Sequence, residues 1–272
     1  MMRNWLTGLL LPLLALPVYG QGITVGDGTT LADLTITATA AGVDACDDVA
    51  DLVAWFDATT GVTTGATFTW ADQSGNGNDV TQSTAVLQPS VSASCQNSLD
   101  CIAFDDDVAE ADFLSGSEWG IDMNTTGLTV FIVFDLLTQS SSDYLLGQED
   151  GTGQGRTWVD LSADPFNLIT YFGGGTHQGT TALSADTTYI ATLAIGSGAA
   201  ADVDIYVNGG SDEETDTDQG EASNGDMVVG SARDTTTSDP HNIMEICVYE
   251  TVLGTTDREA VRDALNTKWS VY

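Results

Sequence analysis

Apolar residues in this chain come in short runs that alternate with polar positions and are separated by clusters of Gly, Asn, Asp, Ser and Thr. The period is close to two, so each run turns one face inward and the other outward, as a strand on a core does. The clearest runs are Leu52 to Asp57, Thr129 to Leu136, Asn167 to Phe172, Tyr189 to Ile195, Asp202 to Val207 and Ile243 to Tyr249. Val203, Ile205 and Val207 share one face of their run, with Asp202, Asp204 and Tyr206 on the other. The run at Thr129 is apolar on both sides, which predicts a central strand, whereas edge strands are expected to be more polar. Asn208, Gly209 and Gly210 tolerate positive φ and predict a tight hairpin turn after Val207, with an acidic loop from Ser211 to Ser223 beyond it.

One stretch has helical spacing: Ala260, Val261, Leu265 and Trp269 recur near the C-terminus, and Thr256 with Glu259 fits a capping box. The expected fold class is therefore all-β, a two-sheet antiparallel sandwich with one C-terminal helix. The N-terminus reads differently. Arg3, the apolar run Leu6 to Leu16, and small Val18 and Gly20 predict a secretory signal over 1–20. That run is shorter than the ~20 residues of a spanning helix. A Thr-rich arm over 21–42 holds a candidate strand at Leu34, Ile36 and Ala38, either for its own sheet or for a neighbouring subunit's. The sandwich domain is expected over 43–272.

Charge narrows the partners. With 40 Asp and Glu against 6 Lys and Arg the net charge is −34, and Lys268 is the only lysine. Such a field repels nucleic acid, anionic membranes and acidic glycans at long range. It suits a soluble chain, and also a salty habitat in which screening quiets self-repulsion. Four cysteines in an exported chain predict two disulfides, with three pairings open.

The chain lacks a Gly-x-Ser-x-Gly elbow, a His-Glu-x-x-His pair, a Cys-x-x-Cys motif and a phosphate-cradling loop. His177 and His241 stand alone and read as loop or surface residues. Glu214, Asp216 and Asp218 alternate like the start of an EF-hand loop, but Gly220 comes one position late and no Glu closes the loop. For a sugar platform, which needs aromatic rings beside hydrogen-bonding groups, Trp119, Trp158, Tyr171 and His177 qualify by their polar neighbourhoods. Trp158 and Tyr171 fit a core role equally, and Trp55, Phe104 and Phe131 are expected in the core.

Four stretches together resemble the laminin-G-like jelly-roll domains of the concanavalin A-like lectin and glucanase superfamily. They are LVAWFDA at Leu52 to Ala58, WADQSGNGND at Trp70 to Asp79, IAFDDD at Ile102 to Asp107, and the closing strand and helix from Ile243 to Trp269. The resemblance implies a jelly roll whose first and last strands lie close together, hence Cys46 bonded to Cys247 and Cys95 to Cys101. It also implies rim calcium, for which Asp72, Asp105, Asp106 and Asp107 are the candidates. Gly75 and Gly77 are expected to serve the turn itself, with Asp72, Asn76 and Asn78 bonding their own loop.

The glucanase branch carries Glu-Ile-Asp-x-x-Glu on one strand. Here Glu245 to Glu250 matches it except that Cys247 replaces the central acid, and in a regular strand the two glutamates face opposite ways. The implied function is a secreted carbohydrate-binding or adhesive surface protein without catalysis, whose partner is a neutral or calcium-bridged polysaccharide or cell-surface glycan. A filament or surface-layer subunit comes second, and a glycoside hydrolase or lyase third.

Overall fold

The computed structural model describes residues 46–107, 110–121, 125–138, 143–149, 156–161, 166–172, 175–197, 201–210, 214–218, 225–231 and 239–272. All of them belong to one compact unit, Gly42–Tyr272. The predicted signal and arm, 1–42, lie outside the described residues.

Two antiparallel sheets form the body. The first is built on β1 (Leu52–Asp57), β5 (Ser90–Gln96), β6 (Leu99–Phe104), β10 (Leu128–Leu136), β15 (Thr187–Ile195), β16 (Ala201–Val207), β17 (Glu214–Asp218) and β19 (His241–Tyr249). Its order is β17-β16-β15-β10-β19-β6-β5, with β1 also on β19. The second takes β2 (Val62–Thr63), β3 (Phe68–Trp70), β4 (Val80–Gln82), β9 (Leu114–Gly116), β11 (Asp143–Glu149), β12 (Arg156–Leu161), β13 (Leu168–Phe172), β14 (Gly175–Gln178) and β18 (Asp226–Val229). Its order is β14-β13-β12-β11-β18-β9-β4-β3-β2. A small hairpin of β7 (Asp106–Asp107) and β8 (Glu110–Ala111) stands apart from both sheets.

The closing strand β19 organises the first sheet. Its long edge on β10 runs from His241 to Tyr249, broken by a bulge between the partners of Val133 and Phe134. Its other edge is shared, because β6 pairs with His241 to Ile243 and β1 with Glu245 to Tyr249. The bulge at Met244 also re-aims side chains. Ile243, Ile246 and Val248 enter the inter-sheet core, while Met244, Cys247 and Tyr249 face the other way.

Burial therefore occurs on two sides of the first sheet. Val130, Ile132 and Phe134 of β10 fill the space between the sheets; Phe131 and Val133 lie in a second cluster with Val261, Leu265 and Trp269 of α1 (Thr255–Trp269). This accounts for a strand that is apolar on both faces: one face meets a sheet, the other a helix. The polar edges are also as expected, with the side chains of β5 exposed or half-buried. No described helix is long and apolar enough to cross a membrane.

Several details differ from the sequence expectation. The acidic stretch after the hairpin is in part a strand, since Glu214–Asp218 pairs with β16 from Ala201 to Ile205. Its Thr residues suit an edge strand, but an all-polar alternation carries no inward face to reveal it. The helix begins at Thr255 after an extended Gly254 that supplies no side-chain cap, so Thr256 lies inside the first turn and the capping box does not form. The hairpin turn forms as expected: Asn208 and Gly209 have φ of 49° and 69°. A Cβ on Gly209 would come within 2.7 Å of the Tyr272 hydroxyl. Both disulfides are present, Cys46–Cys247 with Cα atoms 5.8 Å apart and Cys95–Cys101 at 5.9 Å.

Candidate functional site

The loop between β3 and β4 is organised by one carboxylate. Asp72 Oδ1 accepts the backbone N–H groups of Trp55 and Ser74, both at 2.9 Å; Oδ2 accepts the Ser74 hydroxyl at 2.7 Å and the Asn78 N–H at 3.0 Å. From the other side the loop is stapled to β1, because Asn76 Nδ2 and Asn78 Nδ2 both donate to the Val53 carbonyl. Gly75 and Gly77 make the two reversals, with φ of 85° and 78°. Space around both is open, so backbone conformation alone requires glycine there. Asp72→Ala is expected to remove about 2 kcal/mol of stability, since hydrogen bonds to a charged acceptor are worth about 1.5–3 kcal/mol. Chemical denaturation measures it.

That loop forms one wall of an open groove of about 640 Å³ at the rim of the sandwich. Asp51 to Val53, Asn76, Asn78, Thr126 and Glu250 line it. Asp51 holds a positive φ of 67°, and its carbonyl accepts the Glu250 N–H at 2.9 Å, which ties the entry to β1 to the exit from β19. The Thr126 hydroxyl donates to Glu250 Oε1 at 3.4 Å. Trp119 also lines the groove.

The predicted aromatic platform is rearranged by the fold. Trp119 is 8 % exposed and tilts over Phe56 at 5.7 Å, so it reaches the groove as an edge of the core and offers no open ring face. His177 is buried in β14 at 3 % exposure, and His241 is fully buried in β19 and stacked on Phe104 at 5.3 Å. Neither is a surface residue. Polar neighbours in sequence misled here, because in a strand those neighbours point to the opposite face. Trp158 and Tyr171 lie on β12 and β13, and their side chains are outside the described residues. Trp55, Phe104 and Phe131 are in the core as expected.

Of the calcium candidates, Asp72 and Asp105 have side chains among the described residues. Both oxygens of Asp72 already accept donors, the Trp55 N–H of β1 and three groups of its own loop. Asp105 is tied by its backbone N–H to the Asp112 carboxylate at 3.1 Å; Asp106 and Asp107 form β7 and pair with Ala111 and Glu110 of β8, with side chains outside the described residues. Among the described residues the one convergent group of metal-ligand types is Cys46, Glu245 and Cys247, and its two sulfurs are bonded to each other.

Glu245 itself lies beneath the helix. Its Oε1 accepts the Trp55 indole N–H at 2.8 Å; its Oε2 accepts the Trp269 indole N–H at 2.6 Å and the Lys268 ammonium at 2.8 Å. Lys268 also meets Asp57 at 2.7 Å, so one ammonium bridges two buried carboxylates. Burial pushes the Glu245 carboxyl above its usual range, with Lys268 drawing it part of the way back and Asp57 opposing that pull. Of the two glutamates in the glucanase-like stretch, Glu245 is sealed and Glu250 lines the rim groove. Sequence reading overlooked Asp57 as a member of this network and Asp51, Thr126 and Glu250 as groove residues. They are far apart in the chain, and no local pattern links them.

No protein-family model matches the chain, and no curated protein matches its sequence. Solved structures do match its fold. Trypanosoma rangeli sialidase in complex with a difluoro-KDN ligand is 11% identical at a TM-score of 0.56, over 81% of this chain and 33% of that one. The binding domain of Paraclostridial Mosquitocidal Protein 1 is 12% identical at 0.58, over 80% of this chain and 52% of that one. Domain 4 of AbnA, a GH43 extracellular arabinanase from Geobacillus stearothermophilus, in complex with arabinotriose, is 10% identical at 0.54, over 79% of this chain and 98% of that domain. The chain thus spans about a third of the sialidase. At these identities the likeness is one of β-sandwich fold.

Proposed function

We propose that this chain is an exported carbohydrate-binding module of the laminin-G-like jelly-roll kind, which holds a neutral stretch of polysaccharide or cell-surface glycan in the rim groove without catalysis. The observation that carries the reading is the groove itself, concave and lined mainly by hydrogen-bonding groups. Its volume is in the ~300–1,000 Å³ range of small-ligand sites. Asn76 and Asn78 spend their N–H groups on β1 carbonyls, which leaves their Oδ1 atoms to accept from sugar hydroxyls. Asp51 and Glu250 add carboxylate acceptors and disfavour an acidic sugar at this place. The reading without catalysis rests on Glu245, whose oxygens are committed to Trp55, Trp269 and Lys268 under α1. Export is supported by the two disulfides. Domain 4 of the arabinanase, seen with arabinotriose, and the toxin's binding domain lend support as sandwiches of this type.

A neutral-glycan array identifies a ligand, and titration calorimetry then compares the wild type with Thr126→Trp, which fills the groove from an exposed position. Binding is expected to weaken by about tenfold or more, with the thermal midpoint unchanged. Undiminished affinity in the filled variant, or no neutral glycan bound at all, rejects the proposal.

A further inference from the structure

With 40 acidic side chains against 6 cationic ones, a carboxylate partner is on offer for every cation in this protein. Lys268 takes two, and Arg262 takes Asp263 at 2.8 Å. Arg258 has no carboxylate in ion-pair reach among the described residues. Its guanidinium instead lies over the Tyr206 ring, 4.2 Å from the centroid. Stacking of this kind holds the planar fork without consuming its N–H donors.

The fork lines a second groove, about 440 Å³, between the first turns of α1 and the β16 hairpin. The groove lies on the outer face of the first sheet, where Thr192 and Tyr206 are paired neighbours on β15 and β16. Arg258 and Arg262 are four residues apart on the helix and both line it. Like charges at that spacing cost a few tenths of a kcal/mol in a helix, so nothing local favours the pairing.

We propose that Arg258 is the anchor of a second binding site, which takes a single sugar-borne oxyanion, a carboxylate or a sulfate ester, with hydroxyls around it. The charge count selects a singly charged sugar unit over an acidic protein segment. One unpaired cation faces the groove beside Glu259, with Asp263 close by on the same helix, so a ligand bearing several carboxylates would meet repulsion. The repulsion of the whole chain toward anions acts at long range and is screened beyond about 8 Å at physiological salt, whereas a guanidinium fork acts at contact. This site is independent of the rim groove and of the reading given to it.

The test is titration calorimetry of the full chain with galacturonate, galactose 6-sulfate, neutral galactose and a Glu-rich peptide. One or both charged sugars are expected to bind, and the tighter of them names the oxyanion. Arg258→Gln should weaken that binding by about tenfold or more, while Arg258→Lys recovers only part of it, because the ammonium lacks the planar fork. Glu259→Gln should strengthen it by roughly two- to threefold by removing a nearby like charge. Since this last variant moves affinity the other way, loss through misfolding is distinguished from loss of the anchor. Binding of neither charged sugar, binding indifferent to Arg258→Gln, or tighter binding of the peptide overturns the proposal.

Discussion

Lys268→Met is expected to destabilise the folded chain by about 3–5 kcal/mol, the usual consequence of stripping one partner from a buried ion pair. Lys268 is the sole lysine, and its ammonium lies between Asp57 and Glu245, which are 8 % and 0 % exposed as side chains. Once it is removed, two carboxylates share the space under α1, compensated only by the two indole N–H groups on Glu245 and by the Thr59 N–H and hydroxyl on Asp57. Replacing the acid is expected to be gentler. Glu245→Gln keeps an acceptor for one of the two indoles and leaves Lys268 paired with Asp57.

The same network sets a pH dependence. Because burial raises the Glu245 carboxyl above its ordinary 4.5, the native state holds that proton more tightly than the unfolded chain. The stabilisation is full below the unfolded value and is lost as pH rises through the raised one. Unfolding free energy should therefore fall as pH climbs above about 4.5. The fall should steepen in Lys268→Met and flatten in Glu245→Gln. Denaturant titrations across that range, at one high salt concentration to quiet the surface charge, supply the comparison.

The second large effect concerns the Cys46–Cys247 bond. It spans 201 residues and ties the segment before β1 to the strand that ends the first sheet. On the chain-entropy account, closing a loop of that length is worth about 5 kcal/mol, against about 2 kcal/mol for the Cys95–Cys101 loop. Replacing both Cys46 and Cys247 by Ala should lower the unfolding free energy by the larger amount, and the corresponding change at Cys95 and Cys101 by the smaller. Reversal of that order in denaturant melts would contradict the assignment of the long bond as the main covalent constraint.

The body of the fold was legible because its strands alternate or are apolar throughout. Leu52 to Asp57 is recovered residue for residue, and the strand predicted from Thr129 begins one residue earlier. Glu214–Asp218 escaped because an edge strand without apolar residues leaves the same trace as an acidic loop. The site was less visible. Trp119 was singled out for a polar neighbourhood, yet what brings it to the groove is packing on Phe56, a contact across 63 positions that no spacing encodes. Asp72 was read both as a loop residue and as a metal ligand. Only the count of its donors separates the two roles, and that count depends on how Trp55 and Asn78 come to meet it. Glu245 matched a catalytic template by sequence, but the bulge at Met244 and the docking of α1 decided what it touches.

The most direct test of the central claim is an amide chemical-shift titration of the labelled protein with the neutral oligosaccharide that binds best. The expected result is a set of perturbations confined to Asp51 to Val53, Asn76, Asn78, Thr126 and Glu250. Perturbations that gather elsewhere, around Arg258 and the β16 hairpin for example, or none at saturating sugar, would contradict it.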